Sequence, residues 1–198
     1  MPPGDVPLAA FNSSQAGCNL GFLWYNGANV QRGRFMEQNF VFRQVLPEEA
    51  HRVFSLVMSR VAWMDRVGIH QWNDTKYDER YPLNYYENKA KAGELFVLER
   101  RGEFLCVGAL FCEDVRWPEP AKARYLHHFA AKVGEKGAGS LFLQEAEKFA
   151  GAEGMEYMRL DSAVGNERLA HYYESRGYVS CGHCRDGLYQ GMLRQKKL

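Results

Sequence analysis

The sequence predicts an α+β fold in which helices pack on the faces of one mixed sheet. Two observations support this fold class. Stretches with the alternating pattern of strands are interspersed with stretches whose apolar residues recur every three to four positions, as in amphipathic helices. The predicted elements follow the order β, α, α, three strands, α, β, α, β, β, and such a mixed order is typical of α+β proteins.

The first half of the chain begins with a strand and a long helix. The stretch "NFVFRQV" alternates over 39–45, and Pro47 then opens a helix, as proline often does in a first turn. One face of this helix is marked by residues at helical spacing: Val53, Leu56, Val57, Arg60, Val61 and Met64. A loop is expected over 68–82, and a short helix over 83–93 ends at Gly93.

In the rest of the chain, short predicted strands and helices follow one another with brief connections. Two strands, 94–100 and 104–115, are joined through Arg101 and Gly102 as a hairpin. They are followed by a strand over 123–133, a helix over 138–153, a strand over 155–162, a helix over 166–176 and a final hairpin made by "YVSCGHC" and "LYQGMLRQ".

Size and composition are those of one ordinary domain. The chain has 198 residues, of which 46% are hydrophobic and 25% charged, and its formal net charge is +1. Such a balance gives no broad attraction to nucleic acid or to an anionic membrane. No apolar stretch approaches the length of a membrane span and no signal-peptide pattern is present. We therefore expect a cytoplasmic protein that binds neither nucleic acid nor a membrane.

Residues 1–35 differ in composition from the rest. They are rich in Gly, Pro, Asn and Ser and have no sustained period, whereas patterned sequence follows directly after Met36. We expect 1–35 to be a leader or tag-like segment outside the core, originating from added sequence or from an upstream start. The folded domain is expected over 36–198.

The cysteines are expected to be reduced, because they are odd in number and lack a regular framework: Cys18, Cys106, Cys112, Cys181 and Cys184. Cys181 and Cys184 have the spacing of a redox dithiol or of half a zinc site. A redox pair needs a helix N-terminus, but here a strand-like stretch precedes and a turn follows. No second pair of zinc ligands is evident. We expect a hairpin without metal, and a dithiol oxidoreductase is the less favoured alternative.

Three glycines open the predicted helix at 138: Gly134, Gly137 and Gly139. A P-loop would need Lys and then Ser or Thr after the last glycine, but Ser140 and Leu141 follow it. A dinucleotide fingerprint has the reverse glycine spacing. Two interpretations stay open: a helix N-terminus that holds a pyrophosphate, and a tight turn without a ligand.

The stretch 125–178 resembles the GNAT superfamily of acyl-CoA-dependent N-acetyltransferases. Four segments carry the resemblance in order: "YLHHFAAKV", "GEKGAGSLFL", "MRLDSAVGN" and "YYESRGY". Five residues fall at the spacings of that family: Asn166, Tyr173, Glu174, Gly177 and Tyr178. The preceding elements also fit, so the resemblance covers about 40–195. It implies a mixed, mostly antiparallel GNAT-like sheet with helices on both faces.

The resemblance also implies acetyl-CoA as co-substrate. By analogy, the pantetheine arm would pair with backbone groups of Phe129, Ala130 and Ala131 and contact Asn166. The pyrophosphate would meet the loop and helix start, which comprise Gly134, Lys136, Gly137, Ala138, Gly139 and Ser140. The Gln or Arg of the family motif is replaced by Gly134 in a shortened loop, so Lys132 and Lys136 are expected to supply the positive charge.

Two residues in the last predicted helix have alternative roles. Tyr173 matches the tyrosine that, in the family, gives a proton or hydrogen bond to the leaving thiolate. Its alternative role is packing beside Leu169, four residues earlier. Asn166 would contact the pantetheine, and its alternative role is to cap the helix.

The general base is assigned to His127. A histidine titrates near neutral pH and suits removal of a proton from an ammonium group. Because neighbouring strand residues point to opposite faces, we expect His127 to share its face with Tyr125 and Phe129 and to point away from His128. Two acids near the end of the neighbouring strand are the alternative bases: Glu113 and Asp114.

The acceptor site is expected in the aromatic-rich stretch 63–86, with Trp72 and Tyr85 as substrate contacts. Aromatic rings with interleaved acids can hold an amine, although scattered core and surface aromatics are the alternative explanation. We predict an N-acetyltransferase that moves an acetyl group from acetyl-CoA to a primary amine of a small molecule or peptide. The alternative is a degenerate acyl-CoA-binding or interaction module without turnover. A homodimer is the assembly that the resemblance suggests.

Overall fold

The computed structural model describes residues 40–198, so the predicted leader 1–35 and Cys18 lie outside the described residues. Within this range the strands form one seven-stranded sheet with the order β1-β2-β3-β4-β5-β7-β6. The strands are β1 Phe40–Gln44, β2 Leu95–Arg100, β3 Glu103–Phe111, β4 Ala123–Ala131, β5 Tyr157–Ala163, β6 Val179–Asp186 and β7 Tyr189–Lys197. All neighbours pair antiparallel except β4 and β5, which run parallel. The predicted mixed, mostly antiparallel sheet is confirmed.

The helices lie close to their predicted positions. They are α1 Ala50–Val67, α2 Tyr77–Arg80, α3 Leu83–Lys91, α4 Ala138–Ala152 and α5 Glu167–Glu174. Short 3-10 turns cover Pro47–Glu49 and Trp72–Thr75, so the stretch predicted as a loop over 68–82 contains both a turn and the short helix α2. No helix in the described part of the chain is long and apolar enough to cross a membrane.

Both faces of the sheet are covered by helices, as predicted. Along β2, Phe96 and Leu98 pack on the α4 side, whereas Leu95 and Val97 pack against α1 and α3. Because both faces of this strand are buried, its sequence is apolar throughout instead of alternating. Each of these side chains contributes about 1.5–3 kcal/mol on burial, so the two cores hold the central strands firmly.

A bulge interrupts β4 at His128. Val107 pairs with Ala130 but Ala109 pairs with His127, so two residues of β4 lie opposite Gly108 alone. His128 adopts a positive φ of 51° at this point. A bulge breaks the strict alternation of side chains along a strand.

The bulge corrects the predicted orientation of the two histidines. His127 and His128 lie on the same side of β4, with ring centroids 6.3 Å apart, instead of on opposite faces. Phe129 packs on the opposite, α4 side against Phe142, so it does not share a face with His127. The prediction for Tyr125 is correct, because this residue precedes the bulge and keeps the parity of His127.

Strands β4 and β5 separate after a short parallel ladder. The ladder runs from the pair Ala123 and Tyr157 to the pair Leu126 and Leu160 and then ends. Beyond this point β4 continues to Ala131 and β5 to Ala163 without pairing with each other. The separation opens a cleft in the middle of the sheet.

Cys106, Cys181 and Cys184 are free thiols, and Cys181 and Cys184 both lie on β6 of the final hairpin. Cys181 is exposed and Cys184 half-buried. Neither cysteine lies at a helix N-terminus, which is the position that activates a redox thiol.

Candidate active site

A cavity of about 540 Å³ fills the cleft between β4 and β5. One end is formed by the start of α4 together with α5. The other end is formed by the segment 60–81 and by polar side chains from β4, β5 and the last hairpin. The cavity therefore connects the predicted cofactor loop with the predicted acceptor region.

The start of α4 presents unpaired backbone donors to this cavity. Gly137 precedes the helix with φ 86°, and the first helical hydrogen bond runs from Leu141 N to Gly137 O at 3.0 Å. The N–H groups of Ala138, Gly139 and Ser140 have no hydrogen-bond partner among the described residues. Free donors and the helix dipole together favour an anion at this position.

The predicted cofactor residues divide into two groups in the structure. Seven of them line the cavity: Phe129, Ala131, Gly137, Gly139, Ser140, Asn166 and Tyr173. Ala130, Gly134, Lys136 and Ala138 do not line it. Ala130 packs against the α1 side of the sheet and lies opposite Val107 in the β3–β4 ladder.

Arg176, two residues beyond the end of α5, lies at the start of α4, although it does not line the cavity itself. Arg176 donates hydrogen bonds to Ser140 Oγ and Tyr172 O, and its guanidinium lies 3.7 Å from the Tyr172 ring centroid. It makes no ion pair with the described residues. A helix N-terminus disfavours a cation, so an unneutralised arginine there adds to the preference for an anion.

The predicted cations are placed differently. Lys132 pairs with Glu103, and Lys136 is exposed outside the cavity. Arg60 on α1 lines the cavity instead, and its Nε donates to Ala131 O at 3.1 Å. The positive charge near the cleft therefore comes from Arg60 on α1 and from Arg176 just after α5. Both arginines are distant in sequence from the glycines.

Two adjacent tyrosines on α5 border the cavity. Burial raises the pKa of Tyr173, so its hydroxyl is protonated at neutral pH. That hydroxyl makes no hydrogen bond with the described residues. The hydroxyl of Tyr172 is buried and also without a partner, which the sequence analysis did not foresee. Asn166 caps α5 through Leu169 N at 3.0 Å and lines the cavity as well, so its two predicted roles are compatible.

His127 is held between a carboxylate and a guanidinium. Its Nε2 lies 3.0 Å from Asp114 Oδ2, and its Nδ1 lies 3.3 Å from Arg116 Nη1. Because a guanidinium only donates, Nδ1 accepts and Nε2 carries the proton that is donated to Asp114. Burial alone would raise the pKa of Asp114, but the hydrogen bond from His127 and the charge of Arg116 hold it below its ordinary value.

Arg116 extends this cluster to the last hairpin. It donates to Asp161 Oδ1 at 3.1 Å and to Asp186 Oδ2 at 3.0 Å, and Tyr189 donates to Asp161 Oδ2 at 2.5 Å. Ligand atoms of Asp114, His127 and Asp161 lie within 4.8 Å of one another, which is close enough for a metal ion. Arg116 already contacts His127 and Asp161, so this donor set does not fit a metal ion.

His128 lies in an aromatic cluster beside the cavity. Tyr77 hydrogen-bonds its Nδ1, and Tyr85 lies 2.9 Å from its Nε2. Burial lowers the pKa of His128 well below its ordinary value, so the ring is neutral and one tyrosine donates while the other accepts. Trp72 stacks on Tyr77 and lines the cavity, whereas Tyr85 does not line it.

Several cavity residues were not predicted as site residues from the sequence: Arg60, Arg116, His128, Asp161, Tyr172 and Tyr189. Asp161 is part of the segment "MRLDSAVGN" that carries the resemblance, so the resemblance could have identified it as a site residue. Arg116 lies between two predicted strands, 104–115 and 123–133, and no local pattern identifies it. The alternative base Glu113 is exposed, and β3 ends at Phe111, two residues before it.

The chain matches the family model described as the acetyltransferase (GNAT) family over residues 58–178. No curated protein matches it significantly. Among solved structures, it is similar to a GNAT-family acetyltransferase from Listeria monocytogenes, with 22% identity, TM-score 0.67 and coverage of 80% of this chain and 95% of that chain. It is also similar to the PaiA N-acetyltransferase from Thermoplasma acidophilum, solved with coenzyme A, with 18% identity, TM-score 0.63 and coverage of 80% and 99%. A Brucella melitensis ribosomal-protein-alanine N-acetyltransferase has 18% identity, TM-score 0.57 and coverage of 80% and 99%. At these identities the solved structures support the fold.

Proposed function

The chain belongs to the GNAT acetyltransferase family, and on this basis we propose that it transfers an acetyl group from acetyl-CoA to a primary amine of a small molecule or peptide. The observation that carries the proposal is the continuous cavity between β4 and β5. It joins an anion-binding helix start to a polar cluster through a cleft in the sheet. A transferase needs both ends, because two substrates must meet in one place.

The cofactor end has the donors that a pyrophosphate requires. The free N–H groups of Gly139 and Ser140 and the guanidinium of Arg176 converge at the start of α4. Gly139 carries no side chain, and a Cβ there would come into ordinary contact with Phe129 at 3.4 Å, so a larger side chain would fill this approach. Phe129 and Ala131 line the cavity beyond the end of the β4–β5 ladder, which supports the placement of the pantetheine arm in the cleft. The Thermoplasma protein of similar fold was solved with coenzyme A, which also supports this placement.

Acetyl-CoA, when bound, supplies the thioester whose acetyl carbon an amine attacks. The protein must then provide a proton for the leaving sulfur. Tyr173 is suited to this role, because its hydroxyl is protonated at neutral pH and is not committed to another described residue. Tyr172 is the second candidate, since its unpaired hydroxyl borders the same cavity.

The attacking amine must lose a proton, and His127 is the proposed acceptor. Its lone pair is on Nδ1, which accepts a hydrogen bond from Arg116 at 3.3 Å, so this contact must open before Nδ1 can take a proton. When Nδ1 takes a proton, the imidazolium is stabilised by Asp114 at the opposite nitrogen. This arrangement of base and orienting carboxylate fixes the tautomer in the way that acid–base catalysis needs.

The alternative function is binding of acyl-CoA without turnover. The replacement of the family Gln or Arg by Gly134 favours it, since that position contributes no side chain. Arg176 weakens this argument, because it places a cation at the same helix start from another element.

Two assays on the purified protein test the proposal. Acetyl-CoA at about 100 times its dissociation constant is expected to stabilise the protein by about 2.7 kcal/mol in a thermal-shift titration. Free thiol is then followed with acetyl-CoA and a panel of primary amines. Amine-dependent thiol release supports a transferase. Stabilisation without any thiol release supports the binding module, and no stabilisation at millimolar acetyl-CoA contradicts both.

A further inference from the structure

The acceptor end of the cavity has aromatic walls. It is lined by Trp63, Trp72, Tyr77 and Tyr81. Tyr77 stacks on Trp72 with ring centroids 4.8 Å apart and lies tilted against Tyr81, also at 4.8 Å. Aromatic rings bury large apolar groups and also attract cations through their faces. These walls favour an acceptor whose body is apolar or aromatic.

The charges at this end are unequal. The hydrogen-bonded cluster at this end joins three carboxylates, those of Asp114, Asp161 and Asp186, to two guanidinium groups, those of Arg80 and Arg116. Of these acids Asp161 and Asp186 line the cavity, and Arg60, whose guanidinium lies 4.8 Å from the Trp63 ring centroid, is a further cation there outside the cluster. Arg80 pairs with Asp186, and Arg116 pairs with Asp161 and Asp186. The cluster itself therefore holds three carboxylates against two guanidinium groups, and both of these arginines are already paired.

One carboxylate oxygen in this cluster is available to a ligand. Asp186 Oδ2 accepts from both Arg80 and Arg116, whereas its Oδ1 has no hydrogen bond with the described residues. Both partners hold the pKa of Asp186 below its ordinary value, so it is ionised at neutral pH. Gln71 adds an uncharged hydrogen-bond donor, because this residue lines the cavity and its buried Nε2 has no partner among the described residues. It can donate to a carbonyl or hydroxyl oxygen of a ligand.

We infer that the acceptor is a cationic amine on an aromatic or apolar body that carries no carboxylate or phosphate. This inference rests on the proposed function and names its substrate class. A ligand ammonium gains the aromatic faces and the surplus carboxylate charge. Beside this cluster a ligand carboxylate would meet two arginines that are already paired and the like charges of Asp161 and Asp186, which costs binding free energy. A free amino acid is therefore rejected, whereas the corresponding amine or amide is accepted.

The test is equilibrium binding of three matched probes to the protein by calorimetry, with and without saturating CoA. The probes are tryptamine, tryptophanamide and tryptophan, of which the last two differ chiefly in the carboxylate charge. Tryptamine and tryptophanamide are expected to bind about tenfold or more tighter than tryptophan. Equal or tighter binding of tryptophan would overturn the inference, and so would the absence of binding by all three at millimolar concentration.

A charge-removing variant separates selectivity from folding. Asp186→Asn keeps the shape of the side chain but removes the surplus charge and leaves Arg80 and Arg116 less neutralised. We expect tryptamine to bind about tenfold more weakly and the preference over tryptophan to shrink by a similar factor. Asp78→Asn is the matched control, because this exposed acid lies on α2 outside the cavity and should leave the preference unchanged.

The outcomes distinguish the inference from the proposed function. A probe that binds with the expected preference but is never acetylated would contradict the transferase and leave the charge selection standing. Acetylation of tryptophan as efficiently as of tryptamine would contradict the charge selection and leave the transferase standing.

Discussion

The Nε2 atom of His127 lies 3.0 Å from Oδ2 of Asp114, so the carboxylate fixes which ring nitrogen carries the proton. Replacement of Asp114 by Asn removes the charge that stabilises the imidazolium while keeping a side chain of the same size. We expect the turnover number with a working amine to fall about 10²-fold, because general base catalysis is lost in large part. Acetyl-CoA affinity should not change, since Asp114 is remote from the start of α4.

Glu113→Gln is the control for this variant. Glu113 is the exposed neighbour of Asp114 and points to no residue of the cluster. If both variants lost turnover equally, the effect would come from the loop as a whole, and His127 would not be the base.

The second prediction separates the two tyrosines of α5. Tyr173→Phe keeps the buried ring and removes the hydroxyl, so turnover should fall by about 10²–10⁴-fold with little change in thermal stability. Tyr172→Phe should have a much smaller effect on turnover. Steady-state rates at saturating acetyl-CoA measure both. A reversed order of the two effects would indicate that Tyr172 is the acid. Normal turnover by both variants would indicate that water protonates the leaving thiolate.

The third prediction concerns Arg176. Arg176→Gln removes a cation from the start of α4, and charge-assisted hydrogen bonds contribute about 1.5–3 kcal/mol, so CoA affinity should fall about tenfold or more. Calorimetry with CoA measures this change. Arg185→Gln, at an exposed arginine of β6, should leave the affinity unchanged. Unchanged affinity of the Arg176 variant would place the phosphates away from α4.

The fourth prediction tests the glycine at the helix start. Valine at position 139 would extend from a Cβ that already contacts Phe129, so Gly139→Val should abolish measurable CoA binding. Gly151→Val is a matched control on the same helix, because a Cβ there meets nothing within 4 Å. Both variants should fold, as shown by cooperative melting. Retained CoA affinity in the first would refute the placement of the cofactor on this helix.

The fifth prediction is a pH dependence of stability. Glu49 accepts two hydrogen bonds from Arg43, at 2.7 and 2.8 Å, and this contact holds the pKa of Glu49 below its ordinary value of 4.5. Because the folded-state pKa is lowered, the stabilisation is present above pH 4.5 and is lost as the pH falls through the folded-state value. Glu49→Gln should cost about 1–2 kcal/mol at pH 7 and almost nothing at strongly acid pH.

Denaturant unfolding at several pH values measures this difference. The control is Glu79→Gln, which removes an exposed pair with Lys76 and should change stability little at any pH. A cost for Glu49→Gln that is independent of pH would show that the side chain acts through packing.

The elements of this fold could be predicted from the sequence because their periodicity is local. The helix face from Val53 to Met64 and the strand over 39–45 were recognised from a few neighbouring residues each. The bulge at His128 could not be predicted, since it arises from pairing of β4 with Gly108 on another strand. That one extra residue reversed the expected orientation of Phe129 relative to His127.

The candidate site could be predicted only in part from the sequence, for the same reason. Gly137, Gly139, Asn166 and Tyr173 belong to ordered motifs and all reach the cavity. Arg176 meets Ser140 only after α4 and α5 have packed, and no pattern joins the two positions in sequence. Lys132 and Lys136 were chosen because they lie near the glycines in sequence, but neither lines the cavity.

The measurement that tests the central claim most directly follows the fate of the acetyl group. The protein is incubated with acetyl-CoA carrying an isotopically labelled acetyl group and with a primary amine, and the products are identified by mass spectrometry. The account predicts that the label appears on the amine nitrogen in an amount equal to the free CoA released, and that Tyr173→Phe slows both equally. Label recovered as free acetate, or CoA that stays acetylated in the presence of every amine that binds, would contradict it.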